Sequence, residues 1–200
     1  NAAKNGMIDE LMAQGASVTR GALLDSALVV RGAGDPAALA VVASGRATPQ
    51  DQGSQAVVGY LAPTGDDRVL DVAAAPGGKS TAIAERVGHH GRVIACDLHP
   101  GRIRLVTSAR DRLGLGRVLP VVADGRSLPL RRSRADRALV DAPCSGTGTL
   151  GREPDQKWKL NAKQVDAFAK TQGALLDEVA GKTKGVIVYA TCSVLRAEDE

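Results

Sequence analysis

From Val69 onward, five short runs rich in β-branched residues alternate with stretches of helical length, and this rhythm restricts the fold more than any other feature. The runs are Val69 to Val72, Val93 to Cys96, Val118 to Val122, Ala138 to Val140 and Val186 to Ala190. Between them, Ser80 to Val87, Pro100 to Leu113 and Asn161 to Ala180 have helical periodicity. Ala123 to Arg137, with Pro129 and several arginines, reads instead as a loop or short helix. The pattern predicts an α/β fold, a parallel sheet covered on both faces. Such sheets bind ligands at the carboxyl ends of their strands, beside the point where strand order reverses.

The first 47 residues are organised differently. A helix is expected near Ile8 to Ala13, strands around Ser17 to Thr19 and Ala27 to Val30, and a turn at Gly32-Ala33-Gly34-Asp35-Pro36. This predicts a small α+β unit over 1–47, and Pro49-Gln50-Asp51-Gln52 opens a helix to Leu61 that leads into the unit spanning 48–200. Aromatic residues make up only 2% of the chain, so the core must be built from Ala, Val, Leu and Ile, and an aromatic platform for stacking bases is not expected.

Lys and Arg outnumber Asp and Glu by 26 to 22, a balance compatible with a polyanionic partner. Arginines gather in two stretches, Arg102, Arg104, Arg110, Arg112 and Arg117, then Arg126, Arg131, Arg132, Arg134 and Arg137, which form either a solvated face or a surface that tracks phosphates. Three cysteines without regular spacing argue against a disulfide framework or a zinc site and fit a reducing cytoplasm. No apolar run approaches the roughly 20 residues that span a bilayer. The chain begins at Asn1 and ends in the charged run Ala197-Glu198-Asp199-Glu200, so it is read as a fragment.

After the first strand comes Asp71-Val72-Ala73-Ala74-Ala75-Pro76-Gly77-Gly78-Lys79, a small-residue loop leading into a helix. Such a loop admits a ligand close to the backbone, and N–H groups at the helix start favour an anionic group. Asp97 follows the second strand, where a carboxylate accepts ribose hydroxyls, and Asp124 follows the third, placed to accept from an adenine amine. Together they predict a ligand containing adenosine. The loop lacks the G-x-G-x-x-G order of a dinucleotide site, which weighs against NAD.

The fourth strand ends in Asp141-Ala142-Pro143-Cys144-Ser145-Gly146-Thr147-Gly148 and the fifth in Ala190-Thr191-Cys192-Ser193. Cys96, inside its strand, reads as a small buried apolar residue. Cys144 and Cys192 fall in polar loops on one edge of the sheet, and either could serve as a nucleophile.

With these strings in view, the chain from Thr48 onward resembles the RsmB/Nop2/Sun family of RNA 5-methylcytosine methyltransferases. The resemblance is carried by Pro49-Gln50-Asp51-Gln52-Gly53-Ser54-Gln55, the Ala74 to Lys79 loop, Asp124-Gly125-Arg126, Asp141 to Gly148, Pro154-Asp155-Gln156-Lys157-Trp158 and Ala190 to Ser193, in that order. It implies a Rossmann-like class I methyltransferase sheet, S-adenosylmethionine as cofactor and RNA as partner, with 16S ribosomal RNA ahead of tRNA. A scaffold that binds RNA without catalysis is the alternative from another class. A soluble cytoplasmic monomer without a metal is expected.

The resemblance assigns Cys192 as the nucleophile that attacks C6 of cytosine, which makes C5 electron-rich enough to take a methyl group. Such a role predicts a site that favours the thiolate. Cys144, the nucleophile's position in DNA cytosine-5 methyltransferases, is implied to help release the product instead. Asp141 is implied to contact the base near N3 and N4 and to border the cofactor, with Lys79 facing the same site. Ala73 to Lys79, with Asp97, Asp124 and Asp141, are the implied cofactor contacts. Arg152 and Pro154 to Trp158 could shape a pocket for an extruded base, or Trp158 could pack on the following helix.

Ala73 stands where the family often has cysteine, and Gly151-Arg152-Glu153 stands where a more basic run is usual. Family members also continue past the fifth strand into a helix and two more strands, so the native chain is expected to extend beyond Glu200. Residues 1–47 resemble, weakly, the end of the small RNA-binding unit of bacterial members, which a helical NusB-like domain can precede.

Overall fold

In the computed structural model, residues 2–24 and 26–199 are described; Asn1, Asp25 and Glu200 lie outside them. Helix α1 (Ala2–Ala13) leads to an antiparallel hairpin of β1 (Ser17–Arg20) and β2 (Leu28–Arg31), followed by the short α2 (Ala40–Ala43). Leu11, Ala16, Val41 and Val42 form a small core of their own here, separate from those under the main sheet. Arg112 fastens this unit to the rest by donating to the carbonyls of Val42 and Ala47 and to Thr48 Oγ1.

The main sheet comprises β3 (Arg68–Val72), β4 (Arg92–Asp97), β5 (Val118–Val122), β6 (Ala135–Asp141) and β7 (Thr183–Ala190). All its pairings are parallel, in the order β5-β4-β3-β6-β7, so the direction of winding reverses between β3 and β6. Helices α3 (Gln52–Leu61), α4 (Gly78–Ala84) and α5 (Pro100–Arg112) cover one face, meeting Val69, Val93, Ala95, Val118 and Leu139. On the other face, α7 (Ala162–Lys182) brings Leu175 and Val179 against Leu70, Val72, Ala138 and Val140. The alternation along β3 thus sends side chains to two cores, which is why its run is almost continuously apolar.

Asp51 caps α3 by accepting from the Gly53 N–H at 2.8 Å, so the helix starts at Gln52 rather than within the preceding turn. An Asn161–Gln164 capping box starts α7. The connection from Ala123 to Arg134 contains no helix, yet it is not a loose loop. Leu128 is buried under the sheet, its N–H donates to Glu178, and Lys182 donates to the Leu130 carbonyl. No helix among the described residues is long and apolar enough to cross a membrane.

Candidate active site

Register decides which loops meet. Asp141, the last residue of β6, pairs with Ala190, the last of β7, and the ladder continues through Ala142 N–H to the Ala190 carbonyl at 2.9 Å. Cys144 and Cys192 follow by three and two residues, and their sulfurs lie 3.2 Å apart. Gly148 closes the same corner. Its N–H donates to the Cys192 carbonyl at 2.8 Å, and a Cβ on Gly148 would stand 2.8 Å from that oxygen.

Lys79 in the first turn of α4 reaches across the switch point to Asp141, with Nζ to Oδ2 at 2.7 Å. Asp141, Lys79, Thr191 and Cys192 line one cavity of about 480 Å³, whose other walls include Asp51, Ser54 and Arg152. Arg152 is paired there with Asp51 at 2.6 Å. Trp158 lies on α6 (Gln156–Lys159) and is 80% exposed, so it neither packs on α7 nor lines the cavity; its ring carries Lys157 Nζ at 4.8 Å.

The Cys192 thiol is pushed up to about 11 by partial burial, by the hydrogen bond and repulsion between it and Cys144, and by the neighbouring Asp141. This corrects the expectation of a site that favours thiolate: burial and the neighbouring Cys144 and Asp141 oppose ionisation, and the Lys79 ammonium is engaged by Asp141. Cys96 is buried in β4, as expected for an apolar role, and its thiol is pushed up to about 12 by burial and by Asp71.

A second cavity, of about 360 Å³, opens at the ends of β3, β4 and β5 and is lined by Ala73, Asp97, Asp124, Gly125, Val72, Leu98 and Leu175 among others. Two carboxylates facing apolar walls fit the hydroxyls, amine and ring faces of a nucleoside. Its floor needs small residues: Ala73 takes a left-handed φ of 62°, and a Cβ on Gly125 would meet Val72 and Leu175 within 2.6 Å. Gly77, at φ 107°, lies so close to α5 that a Cβ would approach Val106 Cα to 3.0 Å.

The carboxylates are nevertheless already engaged. Asp97, which ends β4 rather than following it, accepts from Ala75 N–H, His99 N–H and Arg102 Nε, three of the roughly four acceptor sites of a carboxylate. Asp124 accepts from Arg126 through both oxygens, which holds its carboxyl down at about 2. The N–H groups of Ala74, Ala75 and Gly77 are likewise bonded within the protein, leaving the loop less free to donate than the sequence implied. Pro76 belongs to this loop, whereas Gly78 opens α4 and borders a cavity of about 500 Å³ between the N-terminal unit and α3 and α4.

Residues that sequence reasoning did not single out complete the site. Ser145, Ser193, Gln172 and Glu198 form a buried web behind the two cysteines, and Arg102 covers Asp97. The available signal was that a serine follows each cysteine. The arginine stretches also divide: Arg112, Arg117 and Arg137 bind carbonyls within the fold, whereas Arg131, Arg132 and Arg134 are exposed.

Residues 58–200 match the family model described as 16S rRNA methyltransferase RsmB/F. A protein of Bacillus subtilis named probable ribosomal RNA small subunit methyltransferase B is 36% identical over 198 residues, covering 97% of this chain and 44% of the relative. The chain therefore spans a little under half the length of that relative. The crystal structure of PH0851 superposes with a TM-score of 0.92 at 31% identity, over 97% of this chain and 45% of that one. The structure of NSun6 from Pyrococcus horikoshii, solved with SFG, an S-adenosylmethionine analogue, gives 0.72 at 32% identity, over 82% of this chain and 42% of the other. Fold and family model agree, and the chain belongs to the RsmB/F family of S-adenosylmethionine-dependent methyltransferases.

Proposed function

We propose that this chain is the catalytic portion of an enzyme that methylates C5 of a cytosine in small-subunit ribosomal RNA, with Cys192 as nucleophile. In this reading residues 48–200 form the methyltransferase domain and 1–47 the end of an RNA-binding unit. The observation that carries it is the pair of sulfurs 3.2 Å apart beside the Lys79–Asp141 ion pair. The relatives' names favour ribosomal RNA as substrate.

Bound S-adenosylmethionine supplies an electrophilic methyl group. Cys192 forms a bond to C6 of the extruded base while its proton passes, beside Asp141, to N3 of the ring, moving electron density to C5. Asp141 and Lys79 orient the base edge and hold a proton near N3, where charge develops. Once C5 carries the methyl group, Cys144 assists loss of the C5 proton while the Cys192–C6 bond breaks, restoring the ring and the free thiol.

The test is transfer of label from S-adenosylmethionine to RNA by full-length protein. Cys192→Ala is expected to abolish transfer, and Cys144→Ala to accumulate a covalent protein–RNA adduct on denaturing gels. Transfer that survives Cys192→Ala would remove it as nucleophile, and absence of transfer by the wild-type protein to any ribosomal RNA fragment would favour a scaffold.

A further inference from the structure

We infer that Glu198 is a positioning residue whose buried carboxylate braces the two cysteine loops so that both sulfurs address a single base. The inference rests on the two-cysteine reading above. Glu198 lies on α8 (Arg196–Asp199), outside both cysteine motifs, and is only 3% exposed. A carboxylate so buried is costly unless donors surround it, and here they come from both loops. Oε1 accepts from Ser145 N–H at 2.8 Å and from Gln172 Nε2 at 3.1 Å. Oε2 accepts from Ser193 Oγ at 2.6 Å and from Ser145 Oγ.

Ser145 follows Cys144 and Ser193 follows Cys192, so one carboxylate grips the residue next to each sulfur. The two hydroxyls also lie 3.1 Å apart, and Gln172, from α7, donates to the Pro143 carbonyl at 2.9 Å. Tyr189 on β7 donates to the Glu198 carbonyl at 2.7 Å, fixing α8 itself. Burial alone would raise the Glu198 carboxyl, but the bonds from Ser145, Ser193 and Gln172 outweigh it and hold the group below its ordinary value. Direct bonds also join the loops, from Gly148 N–H to the Cys192 carbonyl at 2.8 Å and from Val194 N–H to Thr147 Oγ1 at 3.0 Å, and Glu198 adds one acceptor shared by the residues next to the two sulfurs, which themselves share only a weak S–H contact.

Thiol chemistry tests the brace without RNA. Diamide, a diazene oxidant, takes up two hydrogens as Cys144 and Cys192 each lose one and the S–S bond forms; the disulfide is followed by peptide mass spectrometry, with Cys96 buried away from the reagent. In full-length protein, Glu198→Ala is expected to slow this bond at least about tenfold and to lower kcat for methyl transfer by a similar factor, with KM and cofactor affinity within about threefold. Glu198→Gln keeps an oxygen for the Ser145 N–H and turns its amide toward the serine hydroxyls, so it should restore both rates to within about threefold of wild type.

A wild-type disulfide rate in Glu198→Ala overturns the inference, as does a Glu198→Gln no better than Glu198→Ala. Should Glu198→Ala fail to fold, the milder Ser145→Ala/Ser193→Ala pair decides: about fivefold slowing supports the brace and an unchanged rate rejects it. If the wild-type protein methylates no RNA, the functional reading falls, while the disulfide rates still judge the brace.

Discussion

The two ends of the cleft are held by different means. At the ends of β4 and β5, Asp97 and Asp124 are paired with Arg102 and Arg126, whose side chains are 53% and 51% exposed. At the ends of β6 and β7, the thiols stand on a buried web of serine, glutamine and glutamate, with Lys79 and Asp141 paired beside them at 17% and 35% exposure. Exposed ion pairs contribute little to stability and exchange readily. A ligand can therefore enter the first end by taking over carboxylate sites from solvent-facing arginines, whereas the second end is organised before anything binds. Recognition tolerates such exchange; a reaction that needs two sulfurs on one C5–C6 bond does not.

The contrast breaks most visibly if the ends are coupled. Asp97→Asn should weaken S-adenosylmethionine binding by about 10- to 100-fold in calorimetry, the usual cost of losing a charged hydrogen-bond partner, while Cys192→Ala leaves it within about twofold. Equal losses in both variants would show that the two ends act as one unit.

A second effect sharpens the chemistry of the reactive end. Only thiolate is alkylated, and the folded Cys192 thiol titrates at about 11, so its reaction with iodoacetamide should quicken as pH rises from 7 to 9. The expected slope is about tenfold per pH unit. A plateau near pH 8, read peptide by peptide, would mean that the thiol is activated at rest.

A third effect concerns Asp71 on β3, which pairs with Ala95 of β4 on one side and Leu139 of β6 on the other. It is fully buried, accepts from Ser80, and leaves Oδ1 without a partner; burial raises its carboxyl to about 7. Its folded value is higher than its unfolded one, so the unfolded chain releases the proton first as pH rises. Stability is therefore lost between about pH 4 and pH 7 and levels off above. Asp71→Asn removes this loss, and its melting temperature relative to wild type should rise across that window by roughly 8–16 °C. An unchanged difference would place the Asp71 proton elsewhere.

Much of the frame was legible because it is local. Five strands appear within a few residues of their expected positions, since β-branched runs and the loops between them carry their own signal. The short α6 and α8 and the span of α2 carried no such signal, because helices of four residues have no periodicity to read. Trp158 could not be placed by composition: an indole is expected to be covered, and here tertiary contacts leave it outside. The arginines were ambiguous for a similar reason, as nothing in their spacing says which will find a carbonyl.

The alternating α/β frame, the small-residue loop before α4 and the two Cys-Ser pairs at successive strand ends are all written in local sequence. What those cysteines meet is set by the packing of distant segments. Residues 48 apart become sulfur neighbours through the register of β6 and β7, Lys79 finds Asp141 across 62 residues, and Glu198 reaches Ser145 across 53. Local patterns record which way each side chain faces; distance, desolvation and shared hydrogen bonds exist only once separate strands are brought side by side. The upward push on the Cys192 thiol comes from those neighbours, not from its motif.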